Sequence, residues 1–125
     1  MSDFSNPGWI GKFKNAFSGI AKGVRGQNSF MVHIPMAMAV IALAILFQLD
    51  WLRISILLLC IAVVLAAEII NSAFERVAKS ITSDFDQNIG DALDIASGAV
   101  LVASIFSAVV GAIILLPPIL SWFFA

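Results

Sequence analysis

Glu68-Ile69-Ile70-Asn71-Ser72-Ala73-Phe74-Glu75 puts two carboxylates, an amide and a hydroxyl at the end of an apolar run that begins at Leu52. On an α-helix each residue turns about 100° from the last, so positions 68, 71, 72, 75 and 79 share a sector of roughly 100°. Glu68, Asn71, Ser72, Glu75 and Lys79 therefore form one polar stripe on a mainly apolar helix. An ionisable side chain at membrane depth is costly and marks a functional site by default. Glu75 and Lys79 can pair at the aqueous edge, being spaced i,i+4. Glu68 lies deeper in the apolar run, with no cation near it in sequence.

Carboxylates at the edge of a membrane suit a definite chemistry. Magnesium prefers hard oxygen ligands and commonly bridges a protein carboxylate and a substrate phosphate. A second carboxylate can take a proton from a hydroxyl at headgroup depth. Together these describe phosphoryl transfer from a nucleotide to a lipid alcohol. The chain has neither a Walker loop nor the glycine loop of soluble kinases, so such an enzyme stands outside the usual kinase folds.

The elements that must carry the stripe follow from composition. The chain has 125 residues, of which 61% are hydrophobic and only 12% charged, with mean hydropathy +1.02. A soluble domain of this length cannot hide that much apolar surface, so lipid is the expected solvent, and a single membrane domain over residues 1–125 is expected. Cys60 is the one cysteine and lies in an apolar run, which excludes a disulfide framework or a cysteine metal site. Lys12, Lys14, Lys22 and Arg25 fall in the first thirty residues without an apolar core between them, so no cleavable signal peptide is expected. Nothing in the charge pattern suggests nucleic acid as a partner.

In chain order, residues 9–26 read as an amphipathic surface helix. Phe13, Phe17, Ile20 and Val24 recur at helical spacing, with basic residues off that stripe. Gly19, Gly23 and Gly26 weaken it but permit another backbone to come close. The same stripe would also suit packing on the protein's own bundle. Residues 30–49, 52–79 and 92–116 are the expected membrane helices. Pro35 falls near the start of the first span, where early N–H groups lack helical partners. His33 is expected to make a structural or headgroup contact, since no second His or Cys stands ready to share a metal. Residues 48–51 form the far turn, and Arg53 can snorkel outward. Residues 81–90 form a polar loop whose Asp-x-Asp lacks the later glycine and glutamate of a calcium loop. Asp91 and Asp94 are expected to open the last span, and Pro117-Pro118 to stop it. Ser97, Ser104, Ala108 and Gly111 form a small-residue stripe suited to tight helix contact. Trp122, Phe123 and Phe124 suit an interfacial anchor.

Basic residues cluster before the first span and after the second, so the N-terminus and the 80–91 loop are expected in the cytoplasm and the C-terminus outside. Three spans cannot shield a carboxylate on all sides, so a homo-oligomer is expected.

The stretch Glu68-Ile-Ile-Asn71-Ser72-Ala73-Phe74-Glu75 resembles the Glu-x-x-Asn-Ser/Thr-Ala-x-Glu motif of the prokaryotic diacylglycerol kinase family, which includes undecaprenol kinases. The resemblance covers nearly the whole chain. Phe13-Lys-Asn-Ala16-Phe-Ser-Gly19-Ile20 is similar to the family's amphipathic helix, and Asp94-Ile-Ala-Ser97-Gly-Ala-Val-Leu to the start of its third span. Arg25 and His33 resemble the undecaprenol branch. The resemblance implies a homotrimer in the bacterial cytoplasmic membrane, with three spans, a surface helix and active sites shared between subunits. It implies MgATP as phosphoryl donor and diacylglycerol or undecaprenol as acceptor. Glu68 matches the catalytic base, Glu75 a metal and nucleotide ligand, and Asp94 a nucleotide-site carboxylate. Asn71 and Ser97 match positions beside the substrate.

The chain departs from that pattern in four places. Gln27 stands where the family carries its second metal-binding glutamate, and Lys79 where it carries an acid one turn past the motif. Leu93 replaces a lysine and Met31 an arginine. Gln27 can offer a neutral carbonyl oxygen to magnesium, and Lys79 can meet phosphate directly. The same departures motivate a second expectation, a non-catalytic relative that binds lipid or assembles with membrane proteins. A proton-coupled transporter using Glu68 as a relay is a third, which an odd number of spans and an amphipathic first helix argue against.

Overall fold

The computed structural model describes residues 8–25, 28–81 and 83–124. They form four helices: α1, Gly8–Val24; α2, Asn28–Leu46; α3, Trp51–Ile81; and α4, Gln87–Phe124. The protein is all-helical, and α2, α3 and α4 are each long and apolar enough to cross a membrane. At about 1.5 Å per residue, the 19 residues of α2 extend roughly 28 Å, close to one hydrocarbon thickness. The 31 residues of α3 reach roughly 46 Å, so part of it projects beyond the span of α2. The motif straddles the end of that overlap, with Glu68 alongside α2 and Glu75 just beyond it.

Two turns set the register of the helices. α2 ends where Gln48 adopts a left-handed conformation, φ 52°. The Leu49 N–H donates to the Ala44 carbonyl at 3.0 Å, and the Gln48 N–H to Ile45 at 3.1 Å. That pair of bonds is a Schellman termination, with Leu49 folded back onto the cluster containing Ala44. Asp50 then caps α3: its carboxylate accepts from the Arg53 N–H at 2.9 Å and from the Arg53 guanidinium at 2.6 Å. Asp86 caps α4 in the same way, accepting from the Ile89 N–H at 3.1 Å. This cap starts α4 at Gln87, about one turn before the expected start at Asp91 and Asp94.

Near the first turn, Ala44, Leu57 and Leu115 are buried against one another, with Leu49, Ile54 and Ile119 packed around them. Pro117 and Pro118 do not stop α4, which continues to Phe124. They remove two N–H donors, but their φ suits a helix. Ile119 packs on the cluster beyond them, so the last turns are held from outside. Pro35 lies inside α2, two turns from its start, so the early-turn explanation does not apply. It leaves the Met31 carbonyl without its helical N–H partner.

The expected small-residue contact takes a different form. A Cβ built on Gly111 would meet nothing within 4 Å. Within the chain, Ser104, Ala108 and Gly111 face a groove between α2, α3 and α4 of about 560 Å³. A polar link from α4 to α3 is made by Ser107, which donates to the Cys60 carbonyl at 3.4 Å. On α1, Phe13 and Phe17 are exposed, and only the C-terminal end packs on the bundle, through buried Gly23 and half-buried Val24.

Candidate functional site

The site is built on the C-terminal half of α3. Glu68 is 2% exposed and Ser72 3%. Asn71 and Glu75 are half-buried, and Lys79 is exposed. The stripe thus passes from fully enclosed to open along one helix face, as its roughly 100° sector requires.

The deep end has a partner that local sequence could not supply. The Nδ1–H of His33, on α2, donates to Oε1 of Glu68. Glu68 is therefore not without a potential cation, and His33 touches a buried carboxylate rather than a headgroup. The contact follows from hairpin register. Ala44 packs on Leu57, and eleven residues further from the turn on each helix His33 meets Glu68 (44 − 33 = 11; 68 − 57 = 11). The other carboxylate oxygen, Oε2, is buried with no hydrogen-bond partner among the described residues. Leaving such an atom unpaired costs roughly 1–3 kcal/mol, more than the ~0.5 kcal/mol an exposed i,i+4 pair returns. Local packing does not account for that arrangement.

The middle of the stripe holds α1. The last carbonyls of a helix have no partner within it. Ser72 Oγ shares its proton between the Gly23 carbonyl at 3.2 Å and the Glu68 carbonyl at 3.1 Å. Arg76 donates to the Lys22 carbonyl at 3.1 Å. A Cβ on Gly23 would stand 3.4 Å from the Ile69 side chain, so at this glycine the two helices pack closely. Gly19 has open space instead.

At the open end, Asn71 Nδ2 donates to Glu75 Oε1 at 3.3 Å, leaving Asn71 Oδ1 buried and without a partner among the described residues. Among the described residues no three His, Cys, Asp or Glu side chains converge to form a protein-only metal cage. A carboxylate and an amide oxygen one turn apart nevertheless fit magnesium that keeps its remaining positions for phosphate and water. Gln27, the other expected metal contact, lies outside the described residues. Lys79 forms no ion pair among the described residues, so its spacing from Glu75 is not used for a salt bridge.

Asp94 and Ser97 are exposed on α4 and make no hydrogen bond to the stripe among the described residues. Depth alone brings Asp94 near. Ser107 meets Cys60, and equal rise on two helices running back along each other places Asp94 level with Ala73, between Asn71 and Glu75 (107 + 60 − 94 = 73). His33 also lines the end of the apolar groove, whose walls include Val64 and Leu65, one turn before Glu68.

A buried carboxylate with one oxygen unpaired among the described residues, near an apolar groove and on the same helix face as a carboxylate–amide pair, sits within a recognisable sequence. The model of the family described as prokaryotic diacylglycerol kinase matches residues 14–115. The chain belongs to the prokaryotic diacylglycerol kinase family. It is 33% identical over 116 residues to a protein of Synechocystis sp. named diacylglycerol kinase, covering 92% of this chain and 66% of that relative. The chain thus spans slightly under two thirds of that relative's length. It is 31% identical over 105 residues to a protein of Bacillus subtilis named undecaprenol kinase, covering 84% of this chain and 85% of the relative. No solved structure matches the chain significantly. Membership in a prokaryotic membrane kinase family, together with three spanning-length apolar helices, makes this a membrane protein.

Proposed function

We propose that the protein is a lipid kinase that transfers the γ-phosphoryl group of MgATP to the hydroxyl of a membrane lipid, diacylglycerol or undecaprenol. The observation that carries this reading is the buried Oε2 of Glu68, unpaired among the described residues, on the same helix face as Glu75, in a chain of this family. Glu68 acts as the base, drawing the hydroxyl proton as the lipid oxygen attacks the γ-phosphorus. The lipid tail lies in the apolar groove beside His33, with its hydroxyl at Glu68. Asn71 and Ser97 serve the lipid end of the site. Glu75, with Gln27, would hold magnesium, which would supply positive charge to offset that of the phosphates. Lys79, exposed one turn past Glu75, and Asp94, level with Ala73, serve the nucleotide. The protein works as a homotrimer in the bacterial cytoplasmic membrane, N-terminus and 80–91 loop inside and C-terminus outside, with α1 lying at the headgroup layer. Exposed Phe13 and Phe17, and Lys12 over the Trp9 ring at 5.1 Å, support that placement of α1.

Purified protein in micelles, given radiolabelled ATP and each lipid in turn, tests the reading. Magnesium-dependent labelling of one lipid is the expected result. No labelling of either, in a folded oligomer, overturns it in favour of a non-catalytic relative, which Gln27, Lys79 and Leu93 would then explain.

A further inference from the structure

We propose that His33 is a positioning residue for Glu68: its Nδ1–H holds Oε1 so that Oε2 alone faces the substrate hydroxyl. This rests on the kinase reading and extends it to a side chain on a different helix. A carboxylate has two equivalent oxygens and a soft terminal torsion, so a lone base would present either oxygen in many orientations. Here one oxygen is fixed by a donor and the other is enclosed and unpaired. The difference between them is imposed by the fold.

The two partners differ in surroundings. Glu68 is 2% exposed and His33 28%, and of the two it is His33 that lines the groove. A lipid hydroxyl reaching Glu68 from the groove passes His33, which lines that end of it. In the transfer step the lipid O–H bond breaks and its proton goes to Oε2. The lipid oxygen bonds to the γ-phosphorus, and the bond from that phosphorus to the bridging oxygen breaks, releasing ADP. His33 neither gains nor loses a proton in this step; it keeps donating to Oε1. The contribution is orientational, and a base displaced by about 1 Å can lose on the order of 10²-fold in rate.

A purely structural clasp between α2 and α3 would use the same bond, and the test separates the two. The chain has a single histidine, so the side-chain ¹⁵N and N–H signals of histidine-labelled protein report this pair alone. A protected Nδ1–H signal is expected in the wild type and lost in Glu68→Ala; its absence from the wild type overturns the proposal whatever the activity. His33→Leu, which keeps bulk but donates nothing, should lower kcat by about 10- to 100-fold with KM for ATP unchanged. His33→Asn, whose Nδ2 occupies the place of Nδ1, should recover much of that loss. Equal kcat in wild type and His33→Leu, or no recovery in His33→Asn when that variant assembles normally, overturns the positioning role and leaves the kinase reading intact. A wild type inert toward both lipids, with the protected signal present, overturns the kinase reading and leaves the bond a structural clasp.

Discussion

Ser72 Oγ donates to the Gly23 carbonyl at 3.2 Å, tying the last turn of α1 to the helix that carries Glu68 and Glu75. Ser72 lies between those two carboxylates in sequence, and Arg76, one turn on, holds the neighbouring Lys22 carbonyl. Helix α1 and the candidate site therefore share a fixing point. Its loss should be felt first in α1: Ser72→Ala leaves a buried carbonyl short of a donor, a cost of about 1–3 kcal/mol. Amide hydrogen exchange in the last turns of α1 should quicken in Ser72→Ala and more in the double variant with Arg76→Ala. Unchanged protection in the double variant would mean that Gly23 and Val24 packing alone holds α1.

Glu68→Gln removes the base while keeping the shape of the side chain. It should lower kcat by about 10²- to 10⁴-fold and leave the KM for ATP nearly unchanged, because Glu68 lies two turns from Glu75 along α3. Undiminished turnover in this variant removes Glu68 from the mechanism.

Gln27→Glu restores a second negative charge where the family carries one. Magnesium should then be required at lower concentration, since the added charge strengthens its attraction to the site. Lys79→Ala is the companion measurement. Lys79 forms no ion pair among the described residues, so lost pairing with Glu75 is not an alternative cause. A raised KM for ATP assigns Lys79 to phosphate, and an unchanged KM removes it from the nucleotide site.

Gly111→Leu fills open groove rather than colliding with a neighbour. Thermal stability and crosslinked oligomer should be retained, while the KM for the lipid rises by about tenfold, the scale of one misfit methylene-sized contact or slightly more. A disrupted oligomer with unchanged lipid KM would place this face against another subunit, as a small-residue stripe in lipid first suggests.

Much of this protein is written in local pattern. The polar stripe from Glu68 to Lys79, the spanning-length apolar helices and the family motif all follow from spacing and composition along a single segment, because helical periodicity and transfer into lipid act residue by residue. The capping at Asp86 was also legible in principle: its carboxylate precedes the helical run as an N-cap should, although Asp91 and Asp94 drew the boundary one turn late. Pro117-Pro118 misled because a proline pair weakens a helix only as far as its own missing donors, while packing of Ile119 restores the rest. What tertiary structure decided is everything that depends on how far each helix slides along its neighbour. The Schellman turn at Gln48 fixes α2 against α3, and that register alone puts His33 beside Glu68 rather than a turn away. The approach of Gly23 to Ile69 gives Ser72 a carbonyl to hold. The separation of α2 and α4 above the Leu57 cluster turns Ser104 and Gly111 into groove wall instead of helix contact. A shift of one residue, about 1.5 Å along and 100° around an axis, would undo each of these meetings while leaving every sequence pattern intact, which is why no single segment encodes them.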